Sequence, residues 1–257
     1  MSRDAEGRIS EASSFHRVAP FYDDLMKGVP YRMWVSYYRL LLATQGLAPT
    51  QVLDCCCGTG IVAEMLAELG WQVTGFDISL PMIEQARQKA ESQGLGIRYE
   101  RQDAAELDLD EQFDAAYSFF DSFNYVTDPQ RLAAAFRRIA LHLRPGASFI
   151  FDMNTAFAFE QRLFNQQQLG KQRNLRYRWR GDWNAETRLI TVRMKFWVGY
   201  EEFEEVHVQR AYETDEIVDM LERAGFEDIR AFHSYTLDRP REDSDRIHFV
   251  ATLAGRE

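Results

Sequence analysis

A carboxylate and two glycines stand together in the first third of the chain, in a pattern that could bind a positively charged ligand. Asp54 ends an apolar run, Gly58 and Gly60 follow in a short loop, and an amphipathic stretch begins directly after them. Glycines at a strand-to-helix turn let the backbone bend sharply and let a ligand approach main-chain N–H groups. A carboxylate at this loop would repel a doubly anionic pyrophosphate and attract an ammonium or sulfonium group. The loop therefore favours a cationic ligand.

Two further acids follow the next two predicted strands. Asp77 ends the second, and a carboxylate at the carboxyl end of a parallel strand can accept hydrogen bonds from two ribose hydroxyls. Asp103 follows the third, where its side chain or the amide of Ala104 could meet the edge of an adenine. The glycines alone, with Ala63, also match the relaxed dinucleotide fingerprint, so an NAD(P)-binding oxidoreductase stays a rival interpretation.

Composition excludes several other classes of function. The net charge of −10 argues against nucleic acid or an anionic membrane as a partner, because both need an excess of Lys and Arg. The three cysteines are consecutive, at 55–57, and the five histidines are scattered, so neither a disulfide framework nor a metal site is expected. The polar N-terminus and the lack of a long apolar run predict a cytoplasmic protein.

Short apolar runs alternate with amphipathic stretches from about residue 50 to 152, which is typical of βαβ units and a mostly parallel sheet. The predicted strands are 51–54, 72–76, 97–101, 113–118 and 148–152, with closing strands at 228–235 and 246–253. Ser79, Asp128 and Thr214 are the expected N-caps of three helices between them.

Other segments flank or interrupt this pattern. Residues 15–45, dense in aromatics, predict an N-terminal helical lid after a flexible stretch at 1–14. From 175 to 212 the hydrophobic period changes to two, which predicts an antiparallel β-meander. We therefore expect an α/β core over 46–154 and 213–257, and an inserted subdomain of a helix and antiparallel sheet over 155–212 above the active site. A homodimer through the insertion is also expected.

The basic side chains of this insertion leave two interpretations open. Residues 171–195 hold eight Lys or Arg against two acids, which could attract an anionic acceptor. The acids that follow, Glu201, Glu202, Glu204 and Glu205, could instead pair with them across strands on a solvated face.

Four motifs in order make the chain resemble the class I S-adenosylmethionine-dependent methyltransferases over roughly residues 15–254. VLDCCCGTG is similar to their first motif, GFDIS to the ribose-binding motif, QDA to the adenine motif, and FDAAYSFFDSFNYV to the motif after the fourth strand. The resemblance implies a Rossmann-like fold with a seven-stranded, mostly parallel sheet and helices on both faces. It also implies S-adenosylmethionine as cofactor and S-adenosylhomocysteine as product.

The same resemblance implies a set of cofactor-binding residues. The methionine part would lie on the first loop and the adenosine against the later motifs. The N-terminal pattern VAPFYDDLM is similar to that of the sugar-amine and glycine N-methyltransferases, and from it Tyr22 and Tyr31 would close over the cofactor. The implied residues are Tyr22, Tyr31, Asp54, Gly58, Gly60, Asp77, Ile78, Met82, Asp103, Ala104 and Phe119.

Methyl transfer to a nitrogen or oxygen atom of a small molecule needs the nucleophile held about 3 Å from the methyl carbon. Where the acceptor has a proton to lose, Asp121, just past the fourth strand, is the candidate base. Asn124 and Tyr125 could orient the acceptor, whereas Asp121 could also simply cap the following turn. A binding protein that has kept the cofactor fold without turnover is the second rival interpretation.

Overall fold

The computed structural model describes residues 15–170 and 175–255, so the stretch 1–14 that the sequence predicts to be flexible lies outside the described residues. Within them, seven strands form one sheet. Its order is β3 (Arg98–Arg101), β2 (Gln72–Asp77), β1 (Gln51–Cys55), β4 (Phe113–Ser118), β5 (Leu143–Asn154), β11 (Arg246–Leu253) and β10 (Phe226–His233).

Strands β1 to β5 run parallel to one another, and β11 pairs antiparallel with both β5 and β10. Parallel strands that are covered on both faces have apolar side chains on both, as at Leu53 and Val52 of β1, which lie in opposite core clusters. The predicted mostly parallel, Rossmann-like sheet is confirmed.

Seven α-helices lie within the described residues. They are α1 (Tyr22–Leu25), α2 (Tyr31–Thr44), α3 (Ile61–Glu68), α4 (Leu80–Gln93), α5 (Pro129–Leu141), α6 (Ala156–Glu160) and α7 (Thr214–Arg223). Helices α2, α3 and α4 bury apolar side chains in the cluster on one face of the large sheet, and α5 and α7 do so on the other. Both faces are thus covered, as the sequence predicts.

The helix starts agree only in part with the sequence. Asp128 caps α5, and its carboxylate accepts the Gln130 N–H at 2.8 Å. Ser79 is the N-cap of α4 as predicted, whereas the cap predicted at Thr214 is wrong. Ser79 precedes α4 but makes no side-chain capping bond, and its N–H donates to Asp77 instead. The cap of α7 is Glu213, which forms a capping box with Glu216 and makes Thr214 the first helical residue.

A second, antiparallel sheet lies within 155–212, in the order β6 (Gln167–Gln168), β7 (Leu175–Asn184), β8 (Leu189–Val198) and β9 (Glu201–Arg210). Its buried face carries the apolar members of the two-residue period, among them Met194 and Phe196. Val18 of the N-terminal segment and Phe159 of α6 belong to the same cluster. The small sheet, α6 and the N-terminal segment therefore pack as one apolar layer.

The structure thus has the predicted meander, while the domain limits themselves stay a prediction. None of the helices in the described part of the chain has the length and apolarity needed to cross a membrane.

Candidate active site

A cavity of about 580 Å³ opens at the carboxyl ends of the parallel strands and extends beneath the small sheet. Of the residues singled out from the sequence, those that line it are Tyr22, Tyr31, Asp54, Gly58, Asp77, Ile78, Met82, Asp103, Ala104, Phe119, Asp121 and Tyr125. Gly60 and Asn124 do not line it. Residues from four separate motifs and from the N-terminal segment therefore meet at one site, because the carboxyl ends of parallel strands share one edge of the sheet.

Three N–H groups of the loop after β1 donate hydrogen bonds within the protein. Asp77 accepts the Gly58 N–H at 2.9 Å and, through its other oxygen, the Ser79 N–H at 2.8 Å. The Cys57 N–H donates to the Phe76 carbonyl and the Gly60 N–H to the Cys57 carbonyl, each at 2.9 Å. A phosphate cradle needs such donors free to face the ligand. These three donors are therefore not available to a pyrophosphate.

Asp54 is buried and Asp77 is half-buried at the cavity, and burial sets the chemistry of both. Asp54 is 4% exposed, and burial raises the pKa of its carboxyl well above the ordinary value, with a further contribution from the charge of Asp77. Burial also raises the pKa of Asp77, although the N–H groups of Ser79 and Gly58 oppose that rise. A buried carboxylate gains most from a positively charged partner. This half of the cavity therefore favours a cationic ligand.

Gly60 acts through packing, away from the cavity surface. Its φ of +79° lies in the left-handed region, and a Cβ at this position would overlap the hydroxyl of the buried Tyr99. Only glycine fits both conditions.

We expect Gly60→Ala to lower the free energy of unfolding by roughly 2–4 kcal/mol, about 1 from the left-handed backbone and about 1–3 from overpacking. Gly46→Ala is the matched control, since Gly46 has a φ of +71° but nothing within 4 Å of a Cβ. It should lose only about 1 kcal/mol in the same urea denaturation. Equal losses in the two variants would contradict the packing role of Gly60.

Strained backbone occurs at the cavity. Cys56, Phe120 and Asp121 line it and have φ values of +58°, +68° and +50°. Each such non-glycine residue costs of the order of 1–3 kcal/mol and persists only where its surroundings fix it. The strain directs the turn after β4 so that Phe120 packs on Trp34, with ring centroids 3.8 Å apart.

Asp121 is the centre of an ionic cluster that the sequence did not reveal. One of its oxygens pairs with Arg246 at 2.9 Å, and the other accepts the Gln209 amide at 2.6 Å. Arg246 also pairs with the buried Asp152, whose carboxylate accepts the Asp121 N–H at 3.2 Å. The partners come from β11, β9 and β5, far apart in sequence. Of these partners, only Asp152 stood out in the sequence, because it is an acid at the end of a predicted strand.

Tyr125 begins a second network, which leads away from the cavity. Its hydroxyl lies 3.0 Å from Nδ1 of His207, and Nε2 of that ring lies 2.9 Å from Glu205. Glu205 also accepts the N–H groups of three N-terminal residues, at 2.6–3.0 Å. An ionised Glu205 that accepts the Nε2 proton leaves Nδ1 free to accept the Tyr125 proton. Glu205 and His207 lie two residues apart on one face of β9, and no local sequence pattern indicated a function for them.

Asn124 is fully buried and bonded only to backbone groups. Its amide nitrogen donates to the carbonyls of Asn154 and Arg210 at 3.0 and 2.8 Å, and its oxygen accepts the Asn154 N–H at 2.9 Å. These bonds tie the turn after β4 to β5 and β9, so any effect of Asn124 on a ligand would be transmitted through the turn.

The N-terminal segment closes the cavity from the opposite side. Asp23 accepts the Thr59 hydroxyl at 2.6 Å and pairs with Lys89 at 2.7 Å, which fixes the segment to the first loop. Tyr31 packs against Phe120, with ring centroids 5.1 Å apart. Both predicted lid tyrosines therefore reach the cavity. Over the described ranges, no cluster of His, Cys, Asp or Glu side chains is arranged to hold a metal ion.

Comparison with known proteins gives a consistent result. A family model described as a methyltransferase domain matches residues 52–146. The protein named "Putative methyltransferase YqeM" of Bacillus subtilis (strain 168) is 30% identical over 238 residues, which cover 91% of this chain and 94% of that protein.

Solved structures resemble the whole chain. The crystal structure of an S-adenosylmethionine-dependent methyltransferase from Clostridium acetobutylicum ATCC 824 has a TM-score of 0.82 and 28% identity, and covers 94% of this chain and 99% of that one. CalS10, an amino pentose methyltransferase from Micromonospora echinaspora solved with S-adenosylmethionine bound, has a TM-score of 0.72 and 21% identity, and covers 91% and 97%. At this identity, the similarity to CalS10 shows the fold alone.

Proposed function

We propose that this chain, which belongs to the class I S-adenosylmethionine-dependent methyltransferases, methylates a nitrogen or oxygen atom of a small-molecule acceptor. The observation that carries the proposal is the buried carboxylate of Asp54 at the end of β1, beside a loop in which three N–H groups are already bonded within the protein. That combination favours a cationic cofactor over a dinucleotide. The rival oxidoreductase interpretation has no comparable support.

S-adenosylmethionine, when bound, supplies a methyl group on a positively charged sulfur atom. The chemistry of the residues fits it. Asp54 would attract its positive charge, Asp77 at the end of β2 would accept the ribose hydroxyls, and Asp103 with Ala104 would border the adenine. An ion pair with Arg131 and a hydrogen bond from the Ala105 N–H fix the Asp103 carboxylate. Tyr22 and Tyr31 would cover the cofactor from the N-terminal side.

The burial of Asp54 leads to a dependence of cofactor affinity on pH. Its pKa is raised in the protein without ligand, and the charge of the cofactor would lower it in the complex. Binding then releases a proton between the two pKa values, so we expect affinity to fall as the pH is lowered. Calorimetry with S-adenosylmethionine at about pH 5.5 and about pH 7.5, in buffers of different ionisation enthalpy, measures both effects.

Asp54→Asn provides the control, because the amide does not titrate in this range. It should bind more weakly at the higher pH and with a reduced dependence on pH. Affinity of the unaltered protein that is constant across the range would contradict the proposed role of Asp54.

Two arrangements could accept a proton from the acceptor. Asp121 is the first, although both of its oxygens already bond to Arg246 and Gln209. The second is the Tyr125 hydroxyl, which can take the proton from the acceptor as it passes its own to Nδ1 of His207. His207 would then act as a positioning residue through Tyr125.

Variants separate the two. If Asp121 is the base, Asp121→Asn lowers kcat by roughly 100-fold, whereas full turnover removes the assignment. If the Tyr125 chain serves, His207→Gln lowers kcat to a similar extent with KM little changed, because His207 does not line the cavity. If neither variant lowered kcat, the acceptor would lose its proton to water.

The function itself is tested by incubating the protein with methyl-labelled S-adenosylmethionine and a panel of amines, phenols and amino sugars. We expect S-adenosylhomocysteine to form together with one labelled product. Tight binding of the cofactor without transfer to any member of a broad panel would favour the non-catalytic interpretation. A cytoplasmic location and a homodimer remain predictions.

A further inference from the structure

The cavity has two halves with different chemistry. The half at the strand ends carries the carboxylates described above. The other half, which we call the acceptor chamber, lies beneath the small sheet and is lined by Leu163, Phe164, Tyr177, Trp179, Met194 and Phe196. None of these side chains is charged. Among the described residues that line the cavity, Arg246 is the one cationic side chain, and it is paired with Asp121 and Asp152.

The basic side chains of the insertion lie away from this chamber. Because residues alternate along a strand, Arg178 and Arg180 of β7 are exposed while Tyr177 and Trp179 line the cavity. The guanidinium of Arg178 lies 6.0 Å from the ring centre of Trp197, a residue that does not line the cavity. The described part of the basic stretch therefore offers no counter-charge to a ligand inside.

An ion in this chamber would lose its hydration without gaining a partner, which is costly. An anion would in addition face the carboxylates of Asp54, Asp77 and Asp245 across the cavity. Aromatic walls instead favour a flat ring, since ring pairs contribute about 0.5–1.5 kcal/mol beyond the area they bury. The indole N–H of Trp179 is buried and has no hydrogen-bond partner among the described residues.

We propose that the acceptor chamber takes a neutral aromatic methyl acceptor bearing a hydroxyl or amine group, an inference that rests on the proposed methyltransferase function. In the transfer, a bond forms between the methyl carbon and the acceptor oxygen or nitrogen. The carbon–sulfur bond breaks, and its electron pair stays on sulfur. The acceptor's proton passes to Asp121 or to the Tyr125 hydroxyl, which in the second case gives its own proton to His207.

Two probes with the same ring test the charge preference. 2-Naphthol is neutral at pH 7 and 2-naphthoate is an anion, and each is titrated by calorimetry with and without saturating S-adenosylhomocysteine. We expect 2-naphthol to bind at least about 10-fold more tightly, a difference of about 1.4 kcal/mol. Equal affinities, tighter binding of 2-naphthoate, or no binding of 2-naphthol would overturn the proposal.

Two neighbouring substitutions on β7 locate the binding. Trp179→Ala removes a chamber wall and should weaken 2-naphthol binding by about 10-fold, while Arg178→Ala, on the exposed face, should leave it unchanged. S-adenosylhomocysteine affinity should stay the same in both, which reports an intact fold. An unaltered 2-naphthol affinity in Trp179→Ala would overturn the assignment of the chamber.

The same titrations refute the acceptor class and the methyltransferase function by different results. Loss of 2-naphthol binding alongside normal S-adenosylhomocysteine binding refutes the acceptor class and leaves the methyltransferase function standing. A protein that does not bind S-adenosylhomocysteine at all refutes the proposed function first.

Discussion

Asp77→Ala is expected to weaken the binding of S-adenosylhomocysteine by at least about 100-fold, which corresponds to about 2.7 kcal/mol. Hydrogen bonds to a charged group contribute about 1.5–3 kcal/mol each, and Asp77 would accept those of the ribose. The same carboxylate also accepts the N–H groups of Gly58 and Ser79, so its removal loosens the first loop. Isothermal titration calorimetry measures the change.

The control for this variant is Asp110→Ala, which removes an exposed acid outside the cavity and should leave affinity unchanged. Asp77→Asn should bind with intermediate affinity, because its amide oxygen still accepts hydrogen bonds but carries no charge. If Asp77→Ala bound S-adenosylhomocysteine as tightly as the unaltered protein, the placement of the ribose at β2 would be wrong.

Arg246→Met should lower the free energy of unfolding by about 3–5 kcal/mol at neutral pH. This is the usual cost of removing one partner from a buried ionic cluster, since the remaining charges stay buried and uncompensated. Arg246 has only 16% side-chain exposure, and its partners Asp121 and Asp152 have 13% and 1%. Urea denaturation followed by circular dichroism gives the value.

Two comparisons identify the cause of that loss. Arg223→Met breaks an exposed pair with Asp219, of 77% and 60% side-chain exposure, and should change stability little. Adding Asp152→Asn to Arg246→Met should recover part of the loss, because the substitution removes a buried charge. A double variant no more stable than Arg246→Met would show that Arg246 stabilises the fold by packing alone.

The fold could be predicted from the sequence because its strands are local patterns. β4 was predicted with its observed bounds, and β1 and β2 to within one residue. β5 was not, since it begins at Leu143 and runs through Pro145 and Gly146, which locally resemble the end of the preceding helix. Its first residue pairs with Phe113 of β4, and that long-range pairing decides the strand's start.

The meeting of Asp54, Asp77 and Asp103 at one cavity was predictable for a related reason. These acids follow strand ends, and parallel strand ends share one edge of the sheet. The partners of Asp121 and Tyr125 were not predictable, because Arg246, His207 and Glu205 are brought there by antiparallel strands whose register no local pattern specifies. The role of Gly60 was also hidden, since Tyr99 lies on a different strand.

Titrating the protein with S-adenosylhomocysteine and with NADH in the same calorimeter tests whether the loop after β1 holds S-adenosylmethionine or a dinucleotide. We expect one S-adenosylhomocysteine to bind per chain with a micromolar or lower dissociation constant, and no heat of binding with NADH. Micromolar binding of NADH together with no binding of S-adenosylhomocysteine would contradict the assignment of the loop to S-adenosylmethionine.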